Sequence, residues 1–156
     1  MSGHVLAFVE DTPRGREVPS AADRLAAKVG ATLTVVAVAV IEREQLHCCD
    51  IRSGTWNRVQ RELAAEQLRD TQAQLASSPG VSFVVSEADS VEAALAREAA
   101  ARACDVIVVP DQAHPLLGRR STLAARLRRR VGCDVLTARE ATAREAYDPL
   151  EPTAGR

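Results

Sequence analysis

The sequence predicts an α/β protein: three layers, with a five-stranded, mostly parallel, Rossmann-like sheet in the order 3-2-1-4-5 and helices on both faces. Two observations carry this. Short apolar runs such as Val5-Leu6-Ala7-Phe8-Val9 and Val106-Ile107-Val108-Val109 do not alternate with polar residues, as expected of strands covered on both sides. These runs are separated by segments with helical periodicity, so the chain reads strand-helix four times over and ends on a strand-like run. Residues 1–140 form one predicted domain and 141–156 a flexible C-terminal tail.

The elements follow in order. The first strand is Val5 to Val9. A loop with Pro13, Gly15 and Pro19 follows it, then a helix from Ser20 to Val29 whose Ala22, Leu25, Ala26 and Val29 share a face. Gly30 stops that helix. Thr32 to Val40 is the second strand. Ile41 to Thr55 has no clear period and reads as loop. Trp56 to Ala76 reads as a long helix whose apolar stripe starts at Trp56, Val59 and Leu63 and continues through Leu68 and Leu75. Ser77-Ser78-Pro79-Gly80 stops it. Val81 to Val85 is the third strand. Asp89 and Glu92 have capping-box spacing ahead of a helix that runs to about Ala103. After the fourth strand, Leu123, Leu127 and Val131 mark a helix from about Thr122 to Gly132. Val135-Leu136-Thr137 is the fifth, edge strand.

Composition narrows the function classes. The chain has 156 residues, of which 46% are hydrophobic and 26% charged, with a formal net charge of −1. That balance favours neither nucleic acid nor a membrane surface as partner. Aromatic residues make up 3%, too few for base-stacking platforms. Met1 to Val5 runs straight into a strand without a secretory-signal pattern, so the sequence reads as cytoplasmic. Cys48, Cys49, Cys104 and Cys133 form no C-x-x-C pair; Cys104 and Cys133 flank strands and read as packing residues. His47-Cys48-Cys49-Asp50 places metal-type ligands side by side, but adjacent residues seldom all point inward, so the reading there is plain loop. Arg126, Arg128, Arg129 and Arg130 read as a solvated basic end of the last helix.

A doubly wound sheet gathers ligands outside the carboxyl ends of its strands, at the switch point. The candidate binding residues are therefore Glu10 and Asp11 after the first strand, Val38 late in the second, Pro110 after the fourth, and Gly118, Arg119, Ser121 and Thr122 where the last helix starts. A helix start with hydroxyls and arginines suits a phosphate. No Ser/His/Asp or Cys/His arrangement has spacing that supports catalysis, so the reading is binding without turnover.

Four stretches resemble the universal stress protein (UspA-like) family: "HVLAFVEDT", "GATLTVVAVAV", "VSFVVSEADSVEAALAREAAARACDVIVVP" and "RRRVGCDVLTAR". They cover residues 4 to 139 in order. The resemblance implies a regulatory stress-response module, a homodimer paired through the Val135-Leu136 edge, and ATP or AMP as cofactor. Nucleotide-binding members of the family carry Gly, two residues, Gly, nine residues, then Gly with Ser or Thr. Here Pro110 stands at the first glycine, Ala113 at the second, and Ser121-Thr122 at the Gly-Ser pair. Glu10 replaces the usual aspartate. Proline removes an amide and fixes φ, so the resemblance implies a degenerate cradle that holds a nucleotide or other anionic ligand weakly. "HPLLGRRSTLAARLRRRVGCDVLTA" also resembles the Gly-Arg-led helix of electron transfer flavoprotein subunits. A flavoprotein-like or nucleotide-hydrolysing α/β protein is the alternative.

Overall fold

The computed structural model describes residues 3–43, 51–112 and 121–147, with the side chains of 51–53 left aside. The strands are β1 (His4–Val9), β2 (Thr32–Val40), β3 (Val81–Ala88), β4 (Val106–Val109) and β5 (Asp134–Thr137). The helices are α1 (Val18–Val29), α2 (Ile51–Gln74), α3 (Val91–Arg102), α4 (Leu123–Arg128) and α5 (Ala138–Ala146). All four strand pairings are parallel and the order is β3-β2-β1-β4-β5, as the sequence predicts.

The apolar runs behave as doubly covered strands do. On β1, Val5, Ala7 and Val9 pack with Leu25 of α1, Leu68 of α2 and Ala141 of α5 in one core layer. Leu6 and Phe8 point the other way, to Leu95 of α3 and Leu123 and Leu127 of α4. Both layers are built mainly from aliphatic side chains, which is how a chain with so few rings fills its interior.

Several boundaries differ from the sequence reading, each for a local reason. α2 begins at Ile51, inside the segment read as loop. Its buried face matches the expected stripe only at Leu68 and Leu75: Trp56, Val59 and Leu63 are 48%, 40% and 47% exposed. The buried positions are Asn57, Ala64, Leu68, Thr71 and Leu75, spaced by whole turns. Two of them are polar, which hides the face from hydropathy. Both have hydrogen-bond partners. Asn57 accepts from the Glu42 N–H and donates to the Glu42 carbonyl, each at 2.8 Å. Thr71 donates to the Gln67 carbonyl at 2.9 Å.

The cap of α3 is Ser90, whose hydroxyl accepts from the Ala93 N–H at 3.2 Å; Asp89 is one residue too early. Glu92 leaves the cap to pair with Arg126 of α4. α4 ends at Arg128, short of Gly132. Residues 141–146, expected as tail, are helical. Thr137 and Glu140 form a reciprocal capping box at the start of α5. The far end of α5 is held by Lys28, the only lysine, which donates to the carbonyls of Glu145 and Tyr147. Residues 148–156 of the predicted tail lie outside the described residues.

Candidate functional site

The carboxyl ends of the strands bring several predicted residues to one edge of the sheet. Val9 pairs with Ala37, so Glu10 and Val38 follow at the same level on neighbouring strands. Ala7 pairs with Val108, and continuing that register sets Pro110 level with Val9. Pro110 is buried, and Val38, Ser121 and Thr122 are half-buried. Gly118 and Arg119 lie outside the described residues, as do His47, Cys48, Cys49 and Asp50. Among the described residues no cluster of His, Cys, Asp and Glu can hold a metal ion.

The β1–α1 loop is wound tightly on itself. The Glu10 carbonyl accepts from the Thr12 N–H at 2.8 Å, and the Thr12 hydroxyl accepts from the Gly15 N–H at 3.0 Å while donating to the Glu10 carboxylate at 3.2 Å. Only glycine fits at position 15: a Cβ there would stand 2.2 Å from the Glu10 carbonyl oxygen. Asp11 is exposed and paired with Arg16 at 3.2 Å. Among the described residues, neither acid is bonded to the β4 side of the crevice.

That side is built differently from a glycine cradle. The two residues after Pro110 send their side chains to two helix starts. Gln112 Oε1 accepts from the Leu123 N–H of α4 at 2.8 Å, and Asp111 Oδ2 accepts from the Arg139 N–H of α5 at 3.2 Å. Thr122 is the N-cap of α4, its Oγ1 accepting from the Ala125 N–H at 3.2 Å. Of the first three amides of α4, two are thus taken by the chain's own side chains. The sequence reading suits this helix start to a phosphate.

The edge also holds two clefts. A cleft of about 720 Å³ lies between α1 and α5, with Ala21, Ala138 and Ala143 as its floor and Arg16, Asp111 and Arg139 at its rim. It escaped the sequence reading because its far wall, α5, was read as tail. A narrower one of about 300 Å³ runs from Glu10 and Asp11 to Asp70 and Gln74 of α2.

Titration at the opposite, amino-terminal edge is shaped by packing. Burial lowers the His4 pKa, aided by Arg102 and opposed by Asp105, while the ring bonds Thr34 and Thr32 at 2.9 Å each. Burial pushes the Cys104 thiol up to about 11, with Cys133 beside it, and raises Cys133 as well. Neither thiol has the thiolate character that redox chemistry needs.

No family model and no curated protein sequence matches the chain. Solved structures do. A universal stress protein family member from Burkholderia pseudomallei aligns over 86% of this chain and 94% of its own, with TM-score 0.68 and 22% identity. A universal stress protein in complex with cAMP aligns over 86% and 95%, with TM-score 0.65 and 17% identity. The Archaeoglobus fulgidus universal stress protein in complex with dAMP aligns over 88% and 97%, with TM-score 0.56 and 14% identity. The class this defines is one of fold. The chain has the Rossmann-like α/β fold of the universal stress proteins, over most of its length and most of theirs. Among the described residues no helix is long and apolar enough to cross a membrane.

Proposed function

We propose that this protein is a universal-stress-protein-like binding and regulatory module that takes an adenine nucleotide or similar anion weakly, without turnover. The ligand lies at the carboxyl edge of β1, β2 and β4, against Glu10, Asp11, Val38, Pro110, Gly118, Arg119, Ser121 and Thr122. Structural neighbours solved with cAMP and dAMP support the ligand class. One observation supports weak binding and a single phosphate: the α4 amides of Leu123 and Ala125 are filled by Gln112 and Thr122. Holding a triphosphate takes several free backbone amides in succession. With Pro110 supplying none, a single phosphate contacted by arginine and hydroxyl is the better fit.

A thermal-shift series with ATP, AMP and cyclic AMP tests this. AMP and cyclic AMP raise the melting temperature more than ATP does at equal concentration. Thr122→Ala combined with Arg119→Ala removes the shift. A larger shift with ATP, no shift with any of the three, or an unchanged shift in the double variant overturns the reading.

A further inference from the structure

The first half of α2 carries an apolar stripe turned to solvent. Trp56, Val59 and Leu63 follow at steps of three and four residues, so they share one side of the helix, and each is close to half exposed. Among the described residues the other exposed large apolar side chains, Val29, Val85 and Tyr147, stand on other elements. Three gathered on two turns make a patch, which single exposed side chains do not.

The helix cannot roll to hide them. Asn57, on its inner face, holds both the N–H and the carbonyl of Glu42, two residues past the end of β2. On one flank Arg61 pairs with Glu87 of β3 at 2.6 Å. On the other, Gln74 donates to the Ser20 hydroxyl of α1 at 2.7 Å. Ala64, Leu68 and Leu75 are seated in the core between these ties. A rotation that buried Trp56 would break the bonds and lift the core residues out.

Charge is distributed unequally on the two margins of the stripe. Arg58, Glu62 and Glu66 follow one another at four-residue steps along one margin, and all are exposed. Gln60 and Gln67 on the other margin carry no charge. Two copies of α2 packed antiparallel bring like margins together. With the two-fold axis between Val59 and Leu63, Arg58 of each copy stands beside Glu62 and Glu66 of the other, and Val59 meets Leu63. A parallel pair would set the charged ridge against the glutamines and leave it unmatched.

We propose that this stripe docks a second copy of the chain, through antiparallel pairing of α2 with Arg58 matched to Glu62 and Glu66. The contact is isologous, so each charge match forms twice. Two helical turns make a small interface, so association is weak and responds to protein concentration. α2 packs over β2 and β3, and β3 lies at the margin of the sheet opposite β5. The contact neither uses nor blocks the β5 edge.

Trp56 is the only tryptophan, so its fluorescence reports the contact directly. The test follows emission and sedimentation without nucleotide, over about a hundredfold range of protein concentration. In wild type the emission maximum moves to shorter wavelength as mass rises. Leu63→Glu removes that shift. Arg58→Glu sets acid against acid and weakens association by about fivefold or more, and adding Glu62→Arg restores it to within about twofold of wild type. All these positions are exposed, and circular dichroism checks each fold. An emission maximum that does not move with concentration in wild type overturns the proposal, and so does a shift that survives Leu63→Glu. A rise in mass without a change in Trp56 emission places association on another surface and overturns it as well. Arg58→Glu associating as tightly as wild type, or a charge-swapped variant as weak as Arg58→Glu alone, overturns the antiparallel pairing and the proposal with it.

Discussion

Gly15→Ala tests how tightly the crevice loop is built. A Cβ at position 15 would lie 2.2 Å from the Glu10 carbonyl oxygen, 2.9 Å from its carbon and 3.0 Å from its Cβ. Ordinary carbon–oxygen contact needs roughly 3.3 Å or more, so one backbone must retreat by about 1 Å. The obstacle is main chain, not the tip of a flexible side chain. The Glu10 carbonyl also anchors the Thr12 N–H, and the Gly15 N–H anchors on the Thr12 hydroxyl, so retreat breaks at least one of them. Overpacking costs about 1–3 kcal/mol and a lost hydrogen bond about 1 kcal/mol more. A total near 3 kcal/mol lowers the melting temperature by about 6–12 °C in a protein of this size. Thermal unfolding followed by circular dichroism measures it, with a urea titration to confirm an unchanged m-value. A drop under about 2 °C would show that the loop yields freely and that the placement of Glu10 and Asp11 is not fixed by Gly15.

Three further outcomes follow from single residues. Thr122→Ala removes the N-cap of α4 and costs about 1 kcal/mol, seen as a fall of about 2–4 °C that Thr122→Ser largely restores; equal losses in both variants would contradict the cap. His4 has a lowered pKa in the folded protein, so the unfolded chain takes up its proton first. Its contribution is therefore full above about pH 6.5 and is lost as pH falls from there through the folded value. Urea midpoints at pH 7.5 and 5.5 should differ less in His4→Asn than in wild type, and an unchanged difference would assign the titration elsewhere. With its pKa near 11, Cys104 is thiolate at only about one part in a thousand at pH 8. Iodoacetamide should alkylate it roughly a hundredfold more slowly than a free thiol, and peptide mapping that found it within tenfold would refute the buried setting.

What the sequence makes legible is what repeats. Doubly apolar strands and amphipathic helices each contain several residues that say the same thing, so losing one signal leaves the others. Val5 to Val9 and Val106 to Val109 therefore read correctly, and so does Gly30, which ends α1 at φ 68° where a side chain would strain. The misreadings fall where one polar residue decides. Asn57 and Thr71 face the core of α2 because each has a partner supplied by the fold, Glu42 from across the chain and Gln67 from the preceding turn. Trp56, Val59 and Leu63 satisfy the hydropathy pattern better and are turned outward. At Ser90 the cap lies one residue beyond the acid that has the expected spacing. Thr137 and Glu140 did carry a capping-box spacing, but the prolines further along drew that segment toward tail.

The candidate site divides in the same way, and the division bears on what the crevice is for. The gathering of the strand ends was legible, because the register of a doubly wound sheet fixes it. The state of its amides was not, because Asp111 and Gln112 read as loop polarity until two helix starts are placed beside them. A glycine loop leaves helix amides free for a ligand and leaves the fold to bear their cost when empty. Here the loop satisfies them itself: Asp111 ties β4 to α5, and Gln112 ties it to α4. The same residues therefore stabilise the empty protein and compete with an anion for its binding groups. Any ligand that takes the Leu123 amide must first displace Gln112, so affinity and local order are coupled through one side chain. If the proposed function holds, a module of this design answers high ligand concentrations and releases readily, which suits a sensor better than a nucleotide store.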